Sequence, residues 1–235
     1  MLLECDKVSK TYDGQTVLAR IDMQVNAGES VALVGASGEG KSTLLSIAGL
    51  LLAPSAGRVT VDGKGIERLN DVELSALRAQ AFGFVFQHNQ LIGSLRALDN
   101  VLVPSCFAYQ GDCQKRALAL MKEFGLEDRL WHYPHQLSVG QKRRVALARA
   151  MLLSPKIIIA DEPTNDLDPV TGRVVINELL NYPDKKHAVI YATHDMAMAR
   201  RADRILHLHN GKIEQISEDQ LAHVFECEEK EETGA

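Results

Sequence analysis

Cysteine is scarce in this sequence and is not arranged in pairs. Four cysteines occur among 235 residues, and no two of them have the CxxC spacing of a metal or redox pair. Widely separated cysteines provide neither the ligand set of a zinc site nor the framework of a disulfide-rich fold. They are Cys5, Cys106, Cys113 and Cys227. We therefore expect reduced thiols and a cytosolic protein.

Long apolar segments and an excess of basic charge are also absent. A membrane-spanning helix needs roughly 18 or more apolar residues in a row, and the best candidate, 44–53, is interrupted by Ser46 and Gly49. The N-terminal residues lack the basic and apolar segments of a signal peptide. A net charge of −5 and a pI near 5.9 disfavour a dedicated nucleic-acid binder. Any membrane association is therefore expected to come through a partner.

Alternating strand and helix patterns predict an α/β fold. Strand patterns occupy residues 2–34, and short apolar runs recur at 156–160 and 188–193. Helical patterns cover 43–52 and 169–180. Apolar runs separated by helices are typical of buried parallel strands, whose C-terminal ends form the ligand crevice of the sheet.

The region between residues 88 and 150 has a different pattern. Candidate helices follow one another there without an intervening strand, which predicts a helical subdomain inserted into the α/β core. The candidate helices are 93–108, 112–124 and 141–152. We predict one domain over 1–215, with the core at 1–87 and 151–215 and the helical subdomain at 88–150. The acidic residues 216–235 are predicted to form a flexible tail.

A glycine-rich loop of the form G-x-x-x-x-G-K-S follows the first apolar run and precedes a helix. In that context backbone amides curl around a β-phosphate, and the helix N-terminus adds positive potential. We expect Lys41 to bind the β- and γ-phosphates, Ser42 to bind Mg²⁺, and the carboxylate of Glu39 to weaken nucleotide binding. The predicted nucleotide-binding residues of this loop are Gly35, Ala36, Ser37, Gly38, Glu39, Gly40, Lys41, Ser42 and Thr43.

Two carboxylates, Asp161 and Glu162, end a second apolar run. A carboxylate at the end of a strand can bind Mg²⁺ together with water molecules, which is the role predicted for Asp161. Glu162 is the candidate general base for the water that attacks the γ-phosphate. The alternative interpretation of the pair is a helix N-cap or a solvated turn.

The segment Leu137-Ser138-Val139-Gly140-Gln141 lies between these two elements and opens a basic helical stretch. The phosphate loop, this pentapeptide and the Asp-Glu pair, in this order, resemble the ATP-binding-cassette (ABC) family. The resemblance extends from about residue 2 to about residue 215. It implies a P-loop NTPase with a parallel-sheet core, an N-terminal antiparallel β subdomain and an inserted α-helical subdomain. It also implies a Mg-dependent ATPase.

The same resemblance implies roles for residues outside the phosphate loop. Gln87 is expected to contact Mg²⁺ and water, His194 to contact the γ-phosphate and the catalytic water, and Tyr12 to stack on adenine. The implied catalytic residues are Glu162, His194, Gln87 and Lys41, and the implied metal ligands are Ser42, Gln87 and Asp161. Ser138, Gly140 and Gln141 are expected to bind the nucleotide of a second cassette in a head-to-tail homodimer. Val139 replaces the glycine that is more usual there.

The stretch from Phe82 to Pro104 resembles stand-alone cassettes that pair with permeases for lipoprotein release, macrolide export or cell division. This implies an integral-membrane permease partner, a peripheral location on the cytoplasmic face of the inner membrane, and no direct binding of nucleic acid. Residues 88–110 are predicted to form the permease-binding groove, with Leu91 and Ile92 exposed. The alternative is a soluble ABC-type ATPase that acts on nucleic acid or ribosomes. Single-copy motifs and the acidic charge disfavour that alternative.

Overall fold

The computed structural model describes residues 1–108 and 111–233, with side chains as far as Glu226. Tyr109, Gln110, Gly234 and Ala235 lie outside the described residues. The parts of the predicted groove (88–110) and of the predicted tail that fall on these positions are therefore not described. In the part of the chain that is described, no helix is both long and apolar enough to cross a membrane.

A six-stranded sheet forms the core, with the strand order β10-β9-β3-β8-β7-β6. All neighbouring strands are parallel except β9 and β10, which form an antiparallel hairpin. Successive side chains of β3, β7 and β8 point to opposite faces, so they contribute to two separate hydrophobic clusters. The strands are β3 (Ser30–Val34), β6 (Phe82–Val85), β7 (Ile157–Asp161), β8 (Ala188–Ala192), β9 (Arg204–His209) and β10 (Lys212–Ile216).

A second sheet is antiparallel and has the order β2-β1-β4-β5. Its apolar residues pack with one face of the parallel sheet in a shared hydrophobic cluster. The strands are β1 (Leu3–Tyr12), β2 (Gln15–Val25), β4 (Ala56–Val61) and β5 (Lys64–Gly65). The prediction of an α/β fold with an N-terminal antiparallel subdomain is thus confirmed.

Four helices accompany the core. The predicted helix at 169–180 has the same limits in the structure, because Pro169 occupies its first turn and Asp168 accepts hydrogen bonds from the first backbone amides. The helix α2 was not predicted, although Asn70 and Glu73 form a capping box at its start. The helices are α1 (Lys41–Ala48), α2 (Asp71–Ala81), α6 (Pro169–Leu180) and α7 (Met196–Ala199).

The region between β6 and β7 is helical, and the described part of it contains no strand. The first helix is shorter than the predicted 93–108, because the buried amide of Asn100 binds the backbone of Ile92, Leu95 and Arg96 and holds that segment in a loop. The helices are α3 (Ala97–Leu102), followed by a 3-10 turn, α4 (Cys113–Glu123) and α5 (Val139–Met151).

The prediction of a flexible acidic tail is wrong for most of its length. A helix, α8, runs over Glu218–Thr233. Leu221 is fully buried and Phe225 is 8% exposed, and both belong to the main hydrophobic cluster, with Val224 packed against it. These three residues have the i, i+3, i+4 spacing of one helix face, so the helix packs on the core despite its acidic composition.

Candidate functional site

The phosphate loop occupies the turn between β3 and α1. Gly35, Gly38 and Gly40 all have positive φ angles, which allow the backbone to curl back on itself. A Cβ atom at Gly40 would lie only 2.8 Å from a methyl group of Val17 on β2, so glycine is also required there for close packing. No side chain caps the N-terminus of α1. The first backbone amides of this helix therefore remain free to donate to an anion.

Lys41 is the first residue of α1, and its side chain lies across the loop. Its Nζ donates hydrogen bonds to the carbonyl oxygens of Gly35 at 2.5 Å and Ala36 at 2.9 Å. The hydroxyl-bearing residues Ser42 and Thr43 follow in the same turn, with Ser42 exposed. The loop thus combines the ammonium group of Lys41 with backbone N–H donors and a hydroxyl group. This set of groups fits a nucleoside triphosphate.

The side chain of Glu39 contacts the turn between β9 and β10. Its Oε2 accepts a hydrogen bond from the backbone N–H of Asn210 at 2.7 Å, and its Oε1 lies 3.5 Å from Nδ1 of His209. The contact joins residues that are far apart in the sequence, so it could not be read from the motif. Because the carboxylate has these partners, its repulsion of a triphosphate is smaller than the sequence alone suggested.

Glu162 and His194 form a direct pair at the C-terminal ends of β7 and β8. The Nδ1 atom of His194 lies 2.8 Å from Oε2 of Glu162, and the backbone N–H of Glu162 donates to the carbonyl oxygen of Ala192 at 3.1 Å. Glu162 has a φ of 47°, a conformation that is uncommon outside glycine and often marks functional sites. The Glu162 side chain is 12% exposed, whereas that of His194 is 65% exposed.

Burial raises the pKa of the Glu162 carboxyl above its usual value, while His194 and, more weakly, Lys41 act in the opposite direction. A raised pKa brings a carboxylate nearer to the basicity that suits proton transfer at neutral pH. The geometry is that of a largely buried carboxylate held by an exposed imidazole.

The raised pKa of Glu162 leads to a prediction about stability. The ionised carboxylate is less favourable in the folded chain than in the unfolded one, so ionisation should cost stability as the pH rises through the folded pKa. We expect Glu162→Gln to unfold at a higher temperature than the wild type at pH 8, and the difference to vanish below the ordinary glutamate pKa of about 4.3. Thermal unfolding without nucleotide across this pH range tests the expectation. A difference that is constant with pH would contradict it.

The proposed metal ligands are distributed over three elements. Ser42 is exposed in the first turn of α1, Asp161 ends β7, and Gln87 is exposed just after β6. A hydroxyl, a carboxylate and an amide oxygen are hard donors that fit Mg²⁺, which also retains waters and phosphate oxygens as ligands. The described residues contain no cluster of three or more His, Cys, Asp or Glu that could hold a metal on its own.

Tyr12 lies at the end of β1, on the hairpin with β2. Its ring is 44% exposed, and the ammonium group of Lys10 lies 5.1 Å from the ring centroid. Val17 of the same hairpin is the residue that faces Gly40. The hairpin therefore lies beside the phosphate loop, which leaves an accessible aromatic face for a stacked base.

The segment Leu137-Ser138-Val139-Gly140-Gln141, called the signature below, forms the N-terminus of α5. Ser138 and Gln141 make a capping box, in which Ser138 Oγ accepts from the Gln141 backbone at 3.2 Å and Gln141 Oε1 accepts from the Ser138 backbone at 2.9 Å. A side chain at Gly140 would overlap Thr171 of α6. Among the described residues, no hydrogen bond or ion pair joins the signature to Lys41. The structure thus pairs Glu162 with His194 and presents the signature separately from Lys41.

Two arginines of α5 were noted in the sequence only as part of a basic stretch. Arg143 donates to carbonyl groups of Phe86 and Gln87, and Arg149 donates to those of Asn89 and Gln90. They hold the loop that carries Gln87. The available signal was a charged residue within an otherwise apolar run: Arg149 follows Val145 to Ala148, all of which are buried.

Comparisons with known proteins are consistent with these features. Residues 18–165 match the family described as ABC transporter. The macrolide export ATP-binding/permease protein MacB of Vibrio parahaemolyticus is 41% identical over 219 residues, which cover 91% of this chain and 34% of that protein. MacB of Bartonella henselae is 45% identical over 200 residues, covering 84% of this chain and 30% of that protein. The chain thus spans about a third of the length of these relatives.

Solved structures of similar fold extend over nearly the whole chain. A dimer of the ATP-binding cassette MJ0796, in a post-hydrolysis state bound to ADP and Pi, has a TM-score of 0.86 and 38% identity, and the match covers 92% of this chain and 99% of that one. CbiO1 of Clostridium perfringens, part of the ABC transporter complex CbiONQ, has a TM-score of 0.82 and 30% identity, with coverages of 94% and 90%. The chain therefore belongs to the ABC transporter family, as an ATP-binding-cassette ATPase.

Proposed function

We propose that this chain is the ATP-hydrolysing subunit of a transporter, in which two copies bind ATP between them and drive a separate integral-membrane permease. The observation that carries the hydrolytic part is the pair formed by the buried Glu162 carboxylate and His194. The positive charge of Lys41 in the phosphate loop acts to lower the pKa of Glu162, against the effect of burial. A binding module without turnover has no need of a buried base at this position.

Each side chain has a defined task in this proposal. Lys41 and the amides of the loop bind the phosphates, and Tyr12 stacks on the adenine ring. Glu162 accepts a proton from the attacking water, and His194 orients the carboxylate and contacts the γ-phosphate. Mg²⁺, when bound, neutralises charge on the transferred phosphoryl group. Ser42, Asp161 and Gln87 are its proposed ligands.

A second copy of the chain completes the ATP site. Ser138 and Gly140 lie at the N-terminus of α5, where the helix dipole favours an anion. Since no contact joins them to Lys41 within the described chain, we assign them to the γ-phosphate of the partner's ATP. The dimeric arrangement of MJ0796 supports this assignment. The proposed assembly is a head-to-tail homodimer.

An aromatic groove beside the Gln87 loop is the proposed permease-binding site. The groove has a volume of about 410 Å³ and lies between α2, β6 and the helical region. Its floor is formed by Phe82, Phe84 and Phe86, whose rings stack at 6.0 and 5.7 Å between centroids. Phe107 on its rim is 74% exposed. An exposed apolar groove of this kind fits the apolar face of a short cytoplasmic helix.

The position of the groove refines the expectation about residues 88–110. Ile92 is exposed, as predicted, but Leu91 is partly buried and packs against the main hydrophobic cluster. Neither residue lines the groove, whereas Gln90, Val103 and Phe107 do. The fusion of a permease to the cassette in MacB supports a membrane partner. We infer a peripheral location on the cytoplasmic face of the inner membrane, through the permease.

Phe107→Asp is expected to abolish recruitment to membranes while leaving the ATPase activity of the isolated chain close to that of the wild type. The carboxylate would have to be buried without a partner when the permease helix enters the groove. Sedimentation with native membranes and ATPase activity are measured side by side.

Leu118→Asp is the matched control for this experiment. Leu118 is 40% exposed on α4 and does not line the groove, so its variant should sediment with membranes like the wild type. Normal recruitment of Phe107→Asp would place the permease elsewhere. Recruitment lost equally in both variants would indicate that the helical region as a whole is damaged.

A further inference from the structure

Arg143 is a charged residue in the interior of the protein. It lies in the second turn of α5 and is 1% exposed. Its Nη1 donates to the carbonyl oxygen of Phe86 at 2.6 Å, and its Nη2 donates to those of Gln87 at 2.8 Å and Asn165 at 3.4 Å. Its Nε has no hydrogen-bond partner. All three acceptors belong to the main chain, so the guanidinium is held by backbone and not by a carboxylate.

This arrangement is energetically costly. Burial lowers the pKa of Arg143 below its usual value, and the more distant charge of Asp166 opposes the shift only in part. A buried cation is tolerated when its hydrogen bonds are satisfied, but removing it would leave the carbonyl groups of these three part-buried hydrogen bonds without this donor. A residue with this cost and these partners constrains the positions of the segments that it joins.

The three segments are those that carry the proposed chemistry. Arg143 itself belongs to the helix that opens with Ser138. Phe86 lines the aromatic groove. Gln87, the next residue in the same loop, is a proposed Mg²⁺ ligand. Asn165 lies in the turn after Glu162, where its backbone N–H donates to the Glu162 carbonyl at 3.2 Å. One guanidinium therefore bridges the signature helix, the Gln87 loop and the Glu162 turn.

We propose that Arg143 is a positioning residue that fixes the Gln87 loop and the Glu162 turn relative to the signature helix, so that the three segments move together. The inference deepens the proposed function, on which it rests for the roles of Gln87 and Glu162. When a permease helix enters the aromatic groove and displaces the Gln87 loop, Arg143 transmits this displacement to the turn that follows Glu162. Arg143 itself does not contact the nucleotide.

Arg143→Met tests the proposal in the isolated full-length chain. A misplacement of catalytic groups by about 1 Å can reduce the rate roughly 10²-fold. We expect a kcat loss of up to this size, with the KM for ATP near the wild-type value, because the phosphate loop and Tyr12 are not among the contacts of Arg143. If Arg143 had only a structural role, the variant would yield less folded protein, but the folded fraction would not show a lowered kcat at an unchanged KM.

Arg144→Met is the matched control. Arg144 is the next residue of the same helix, and among the described residues its Nη1 donates to the carbonyl oxygen of Phe124 within the helical region. The variant should lose thermal stability but retain the wild-type kcat. If both variants lower kcat equally, the effect belongs to the helix in general and the proposal is overturned. A wild-type kcat in folded Arg143→Met would overturn it as well.

Arg143→Lys keeps the proposal testable if the methionine variant does not fold. Lysine retains the charge but cannot reach carbonyls on both loops with a planar fork. We expect an intermediate kcat and faster hydrogen exchange at 87–90 and 163–167 than in the wild type, with unchanged exchange at 36–43. Wild-type kcat and exchange would overturn the proposal. Because neither measurement needs a permease, a failure here is distinguishable from a failure of Phe107→Asp, and loss of activity in Glu162→Gln tests the catalytic assignment separately.

Discussion

Replacement of Glu162 by glutamine is expected to lower kcat by roughly 10²–10⁴-fold, the usual effect of losing a general base. Glutamine preserves the size of the side chain but cannot accept a proton from water. ATP binding should persist, because the proposed phosphate-binding groups, Lys41 and the loop amides, are not changed by the substitution. The ATP-bound dimer should accumulate, because without hydrolysis it does not dissociate. Turnover, nucleotide affinity and size-exclusion chromatography with ATP measure the three effects.

Glu178→Gln is the matched control for this experiment. Burial also raises the pKa of Glu178, with Glu123 as a further cause, but Glu178 lies in α6 and not in the turns that follow β7 and β8. The control variant should hydrolyse ATP at the wild-type rate and should not accumulate as a dimer. Turnover near the wild-type rate in Glu162→Gln would refute the assignment of the base.

A mixture of Lys41→Ala and Ser138→Arg chains is expected to recover ATPase activity that neither variant has alone. In a head-to-tail dimer each ATP site uses the phosphate loop of one copy and the signature of the other. A mixed dimer therefore combines both defects in one site and leaves the other site intact. Arginine at 138 removes the side-chain cap of α5 and places a bulky group where the γ-phosphate of the partner's ATP is expected.

The recovery is measured as ATPase activity against the mixing ratio at constant total protein. Lys41→Ala mixed with Glu162→Gln is the control, because both defects lie on the phosphate-loop side and every mixed site carries one of them. This mixture should remain inactive. If the first mixture is also inactive while both variants fold and associate, the composite site is refuted. ATPase activity in a chain that remains monomeric in the presence of ATP would also refute the composite site.

Much of the local structure was predictable because it depends on neighbouring residues. Asp168 and Pro169 define the start of α6 through a cap and a fixed φ angle, so its limits at 169 and 180 were predicted correctly. Ser138 and Gln141 likewise cap α5, which begins at Val139, two residues before the predicted start at 141. The tail was predicted wrongly because its composition was given more weight than the helical spacing of Leu221, Val224 and Phe225.

The sequence by itself determined the family and the α/β fold and supplied the candidate site residues, because the phosphate loop and the Asp161-Glu162 pair occupy consecutive positions whose chemistry is local. The tertiary structure decided which groups meet. It paired Glu162 with His194 and placed Glu39 against the β9–β10 turn. It also buried Arg143 between two loops. These contacts join residues far apart in the chain, so they follow from strand order and packing, which no short motif encodes.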